Sequence, residues 1–282
     1  MLNWMHLDPA CSVQKLTAAD TLIGQIVQII ALTGENMVDH RSDMRHLSMT
    51  WNADNKTLDG ELFRIEDREY QIAFKVDNFS LEMKDRNNNS LSSFEMDGKN
   101  FKQALLWWED ALKEIGVHKN YLITCLPYKS EPHLFQSNTP IEKPADHILN
   151  EWNKTRNNAT EALKDLAKSI HINTPVLTRP RNLDTAIAVP FTDKDKNTNT
   201  SFEAGWTMTG SPKPAFFIKS QDSAIINFGN KEYERGQFEK WPGENALILS
   251  IDKLYIQEAP ALISEFFYLL NSQINSSLQQ AG

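Results

Sequence analysis

The most regular stretch of alternating hydrophobic and polar character lies near the N-terminus. Leu22, Ile23, Ile26, Val27 and Ile30 recur at three- and four-residue spacing, which predicts an amphipathic helix opened by Thr17 or Asp20 and closed near Gly34. The period then changes to two. In "HLSMTW", Leu47, Met49 and Trp51 alternate with polar residues, the pattern of a half-buried strand. "ADNKTLDGE" supplies turn chemistry, and "GELFRI", "YQIAFKV", "FSLEMKD" and "SLSSFEM" follow as short strands separated by Asn- and Asp-rich turns. These strands predict an antiparallel meander.

A second helix is predicted from Gly98 to Ile115, with Phe101, Ala104, Leu105, Trp108, Leu112 and Ile115 on one face and Gly116 as its stop. "YLITCLP" reads as a strand. Pro127, Pro132, Pro140 and Pro144 then punctuate a polar stretch, and residues 131–145 are the expected linker. Beyond it the order recurs. A helix spans Ala145 to Ile170, then come the strands "TPVLTR", "DTAIAVPF", "SFEAGWTM", "PAFFIKS", "AIINFG" and "ALILSI", then a helix from Gln257 to Ser276. The expectation is an α+β protein of two pseudo-repeated helix–strands–helix halves, 1–130 and 146–282, fused into one domain or standing as two. A duplication of this kind would leave a cleft between the halves.

Composition narrows the class. The chain has 282 residues, is 40% hydrophobic and 23% charged, and carries a net charge of −8 with a pI near 5.4. It is long enough for a core that needs no disulfide or metal support. The acidic balance, with no basic stripe, argues against nucleic acid as a partner. "LIGQIVQIIAL" has eleven residues and two Gln, too short and polar to span a bilayer core of about 30 Å, so no membrane partner is expected. The N-terminus lacks a signal-peptide pattern, and Cys11 and Cys125 stand far apart, which suits thiols in a reducing cytoplasm.

Three stretches offer chemistry. In "DHRSDMRHLSMTW", residues 39–51, His46 is a candidate base or ligand, with Asp39, His40 or Asp43 as orienting partners; the alternative is a charged, solvated turn. In "TRPRNLDTA", Arg179 and Arg181 flank Pro180 and could clamp a carboxylate or phosphate, with Asp184 as orienter; the alternative is a surface turn in which Asp184 pairs with an Arg. In "GWTMTGSPKPAFF", Gly205 and Trp206 either wall a ligand pocket or pack in the core. The chain lacks a Gly-x-Ser-x-Gly elbow, a phosphate-binding Gly-rich loop and His-Glu-x-x-His, and "FTDKDKNTNTS" lacks the Gly and terminal Glu of a calcium loop, so neither metal nor cofactor is expected.

The blocks resemble an uncharacterised bacterial family, known as a domain of unknown function, over roughly residues 16 to 275. "LIGQIVQII" stands where that family has a "TQIVGKI"-like run, and "SDMRHLSMTW" where it has "NHWWHVPLYV". "TPVLTRPRNLDTA" takes the place of "SPVHFFWGSFDLA", and "GWTMTGSPKPAFF" that of "GFWPG" followed by "PAFY". The resemblance puts His46, Asp184 and Gly205 at family positions; the family's Trp-Trp pair is Met44-Arg45 here. It implies a fold and brings no established activity. Together these readings predict a binding module for a small ligand or partner. The alternatives are an enzyme on a small anionic substrate, with His46 as base, Arg179 or Arg181 as anion clamp and Asp184 as orienter, or a structural protein that forms a homodimer.

Overall fold

In the computed structural model, residues 4–128, 137–193, 198–211, 213–220, 238–241 and 246–279 are described. The chain is α+β, with helices and two antiparallel sheets. It divides into two compact units. The first comprises Gln14–Asn153 and Leu177–Leu183; the second comprises Met1–Val13, Lys154–Val176 and Asp184–Gly282. One crossing falls inside a helix, at 153/154; of the expected linker, residues 137–145 lie within the first unit and 131–136 lie outside the described residues.

The first unit opens with α1 (Val13–Ile26) and α2 (Gln28–Met37). Val27 joins them, its N–H bonded to the Ile23 carbonyl and its own carbonyl accepting from Ile30 and Ala31. Every residue from Gln28 to Gly34 is buried, so α2 is a central helix and not a half-exposed one. The helix therefore runs past the predicted stop. Gly34 lies inside it because another part of the chain comes close: a Cβ there would sit 1.9 Å from the His46 carbonyl oxygen. Together α1 and α2 form a 25-residue stretch that is long and apolar enough to cross a membrane, but 67% of its most apolar window is buried inside the protein, as in the core helix of a water-soluble fold.

The sheet of this unit contains β1 (Thr50–Asn52), β2 (Thr57–Asp59), β3 (Phe63–Ile65), β4 (Arg68–Lys75), β5 (Ser80–Asp85) and β6 (Ser90–Glu95), in the order β1-β2-β4-β5-β6 with β3 also paired to β4. The predicted meander is present, with one strand more. β2 falls in the "ADNKTLDGE" stretch expected to be a turn. It is a strand because its polar ends are satisfied inside: Asp59 pairs with Lys84 at 2.9 Å, both buried, and accepts from the Asn52 amide at 3.3 Å. The helix α3 (Phe101–Glu114) starts at a capping box of Asn100 and Gln103 and ends before Gly116, whose φ is +99°. Its Trp108 is fully buried and donates to the Thr33 hydroxyl of α2 at 2.8 Å. "YLITCLP" differs from expectation. After a single 3-10 turn at Lys119–Tyr121 it forms no strand; the Asn36 side chain of α2 pairs instead with both the N–H (2.6 Å) and the carbonyl (2.9 Å) of Ile123.

In the second unit, β8 (Thr185–Asp193), β9 (Thr198–Thr207), β10 (Ala215–Ser220), β11 (Glu239–Lys240) and β12 (Ala246–Ser250) are ordered β11-β12-β10-β9-β8, all antiparallel. One face carries Ile187, Ala204, Trp206, Phe216, Ile218 and Leu249, with Phe267 of α5 (Ala259–Gln279) edge-on to Phe216 at 5.7 Å. The other face gathers Ala186, Ala215, Phe217 and Ile248 against Trp241. α4 (Asp146–Ser169) matches its expected span, and within this unit its buried Arg156 donates to the Thr185 hydroxyl at 2.9 Å. The predicted strand "AIINFG" lies outside the described residues.

Candidate functional site

The site grows from one stripe of α2. Gln28, Glu35 and Asn36 are polar positions seven and eight residues apart in a mostly apolar helix, hence two turns apart on one face. Each holds a different loop. Gln28 donates to the Pro180 carbonyl at 2.8 Å and accepts from the Tyr128 hydroxyl at 2.6 Å. Asn36 holds Ile123, as above. Glu35 faces the histidines of the 39–47 segment.

This segment folds back through Met44, a non-glycine residue at φ +58°, into a 3-10 turn at Arg45–Leu47. The turn delivers His46 inward, 4% exposed, directly over Gly34. The expected strand therefore begins only at Thr50, and His46 precedes it. His46 Nδ1 accepts the Arg41 backbone N–H at 3.2 Å, so in the neutral ring the proton sits on Nε2, which donates to Glu35 Oε2 at 3.3 Å. His40 stacks on this ring, centroids 4.9 Å apart and planes 19° apart. Its Nε2 donates to the Glu35 backbone carbonyl at 2.9 Å and lies 3.6 Å from Glu35 Oε1. His40 is 64% exposed and Glu35 only 13%. Each of the three residues offers one ligand atom, and the three atoms lie within 4.8 Å of one another, so this is the group among the described residues that could hold a metal ion.

The other charges of the stretch take the solvated alternative. Arg41 pairs with Glu61 at 3.0 Å, and Arg45 with Asp43 at 2.6 Å. What little burial Asp43 has would raise its carboxyl, but the Arg45 backbone N–H and guanidinium prevail and hold it below the usual range. "DHRSDMRHLSMTW" is thus both things at once: its Arg and Asp residues make a surface turn, and its histidines make an interior corner.

The segment Leu177–Leu183 completes this side of the unit. Thr178, at the end of β7 (Leu177–Thr178), exchanges both backbone hydrogen bonds with Met49 (2.9 and 2.8 Å), and Pro180 is tied to Gln28. Arg179 and Arg181 are exposed on it. Burial pushes the Tyr128 phenol well above its ordinary range; the Arg181 guanidinium opposes that shift and the Glu35 carboxylate adds to it. The Arg181 and Glu35 charges therefore both bear on the Tyr128 phenol.

The remaining expected residues stand in the second unit. Asp184 is half-buried just before β8, its Oδ1 bordering Gly210. Trp206 is a core residue of β9, 1% exposed, with its ring edge-on to Phe216 at 5.0 Å. Gly205 leaves room for the Phe217 ring, which a Cβ would meet at 2.6 Å. Gly205 and Trp206 thus follow the packing alternative. Glu35 and Tyr128 escaped the sequence reading. The signal for Glu35 was its seven-residue spacing from Gln28; Tyr128 gave none, because only the fold brings it to α2.

No family model, no curated protein and no solved structure matches the chain.

Proposed function

We propose that the protein binds a small anionic ligand at the corner formed by Glu35, His40, His46, Tyr128 and Arg181. The observation that carries this reading is that Gln28 of α2 bonds both the Tyr128 hydroxyl at 2.6 Å and the Pro180 carbonyl at 2.8 Å, which brings the phenol and the residue before Arg181 to one helix position of the first unit, with the Arg181 and Glu35 charges both felt by the phenol. The division of labour is chemical. Glu35 is engaged by His46, so the charge left for an anion is that of Arg181. The acidic composition favours a small ligand over nucleic acid, and the two free cysteines favour the cytoplasm. The family resemblance adds a fold expectation to this reading and no activity.

An enzymatic version also has an observation behind it, with the roles reassigned. Both nitrogens of His46 are engaged, whereas His40 donates through Nε2 and keeps its Nδ1 lone pair. His40 is then the proton acceptor and His46 with Glu35 its support, in place of His46 as base.

Calorimetric titration with a panel of small carboxylates and phosphate monoesters tests the binding reading. One class should bind with 1:1 stoichiometry, and Arg181→Ala should weaken it by about tenfold, the loss of one charge-assisted hydrogen bond. Arg181 is exposed, so the fold is spared. Equal affinity in R181A, or no binding by any anion, contradicts the reading.

A further inference from the structure

We propose that Glu35, His40 and His46 form a binding site for a divalent transition ion of the zinc class, with a coordination position left open. The inference deepens the reading above, since it concerns the same corner, but it does not need the anion to bind first.

The donor set sets the metal class. Two imidazole nitrogens and one carboxylate suit zinc and its neighbours; calcium and magnesium demand mostly oxygen ligands. Three protein ligands are the number found where a fourth position is kept for water or substrate. The spacing comes near to the requirement. Bonds of about 2.0–2.1 Å in a tetrahedral site place ligand atoms about 3.4 Å apart. His46 Nε2 lies 3.3 Å from one Glu35 carboxylate oxygen and His40 Nε2 3.6 Å from the other, and one ligand atom from each of the three residues lies within 4.8 Å of the other two. The remaining closure is on the order of 1 Å.

The protein has arranged which ligand moves. Glu35 is fixed on buried α2, and His46 is pressed against Gly34. His40 is exposed, on a loop held at this point by its bond to the Glu35 carbonyl. Near-parallel rings do not point their lone pairs at one centre, so His40 must rotate out of its stack with His46 as it closes. The proton inventory is also defined. When His46 Nε2 ligates, the ring proton moves from Nε2 to Nδ1, and Nδ1 ceases to accept the Arg41 N–H; His40 likewise shifts its proton to Nδ1 and releases the Glu35 carbonyl as its Nε2 takes up the metal. Arg41 is the next residue to His40, so one shift of the loop both brings in the ligand and withdraws the amide. Glu35 serves as ligand and, before binding, as the acceptor that holds His46 in place.

The experiment is titration of chelator-treated full-length protein with zinc chloride by calorimetry, alongside His40→Ala, with magnesium chloride as control and Cys125→Ser to remove the exposed thiol. The site predicts one zinc per chain, unchanged by C125S, no magnesium binding, and at least a tenfold loss in H40A. Because His40 is exposed, H40A keeps the fold, which circular dichroism verifies. In amide spectra, zinc should shift Arg41 in the wild type and leave it unmoved in H40A. Zinc binding that survives H40A intact, or no stoichiometric zinc binding, overturns the proposal. The anion panel, run with and without zinc, separates the two readings. Anion binding without zinc binding sinks the metal site alone, and zinc binding without any anion sinks the ligand reading alone.

Discussion

The chemistry of this protein turns on which atom of which side chain is left over. His46 spends both ring nitrogens inside the protein, one on Arg41 N–H and one on Glu35, whereas His40 beside it spends one and faces solvent. Exposure alone separates the roles of two residues that look equivalent in the sequence. Tyr128 shows a related effect. Burial raises its pKa, so the folded chain keeps the phenol proton after an unfolded tyrosine, which ionises near 10, has lost its own. The phenol thus contributes stability in full below pH about 10, and that contribution falls as pH rises above it. Wild-type stability should drop faster than that of Tyr128→Phe above pH 10, and absorbance titration of the six tyrosines should lose no group titrating near 10 in the variant. A group with an ordinary tyrosine pKa that vanishes in Y128F would contradict the buried, Gln28-bound phenol.

At the scale of elements, α2 organises the first unit. Its apolar residues fill the core, Thr33 accepts from Trp108 of α3, and Gln28, Glu35 and Asn36 each fasten a segment that otherwise has little regular structure. Gly34 is the contact point between helix and site. An alanine in a helix interior ordinarily gains about 1 kcal/mol over glycine. Here the added Cβ would lie 1.9 Å from the His46 carbonyl, so Gly34→Ala should instead cost about 3 kcal/mol in urea unfolding, the upper end of what overpacking costs, and should weaken ligand binding. A stabilised G34A would mean that the His46 turn does not rest on α2. Much of the element pattern was legible beforehand because it rests on periodicity: α3, α4 and β4 to β6 stand within a few residues of where their apolar spacing puts them. β2 was not legible, because Asp59 looks like a turn residue until Lys84, 25 positions on, is seen beside it. "YLITCLP" has strand composition yet pairs with an asparagine side chain, and no local pattern encodes that partner. The site was half legible. Its histidines and Arg181 stand out as charged residues in loops, but their convergence depends on Glu35, which reads as the polar end of an apolar helix.

Over the whole molecule, the chain is divided differently from its composition. Residues 137–145 stay inside the first unit, the division at 153/154 cuts through α4, and the short segment Leu177–Leu183 returns to the first unit with Arg179 and Arg181 on it. Proline content marks stiff backbone, not the place where contacts change allegiance. The return of that segment explains how residues so distant in sequence as Glu35 and Arg181 come to act on one phenol. His46 belongs to the first unit and Asp184 to the second. The two sheets share antiparallel pairing but differ in strand order, one close to a simple meander and the other with β12 between β10 and β11. The seven histidines are spread along the chain and serve as reporters of where a ligand acts. The most direct test is therefore the side-chain nitrogen spectrum of the histidines during titration with the tightest-binding anion of the panel. The account predicts that His46 starts as the Nε2–H tautomer and that the resonances of His40 and His46 move alone. Shifts confined to other histidines, or a His46 protonated on Nδ1 before any ligand is added, would contradict it.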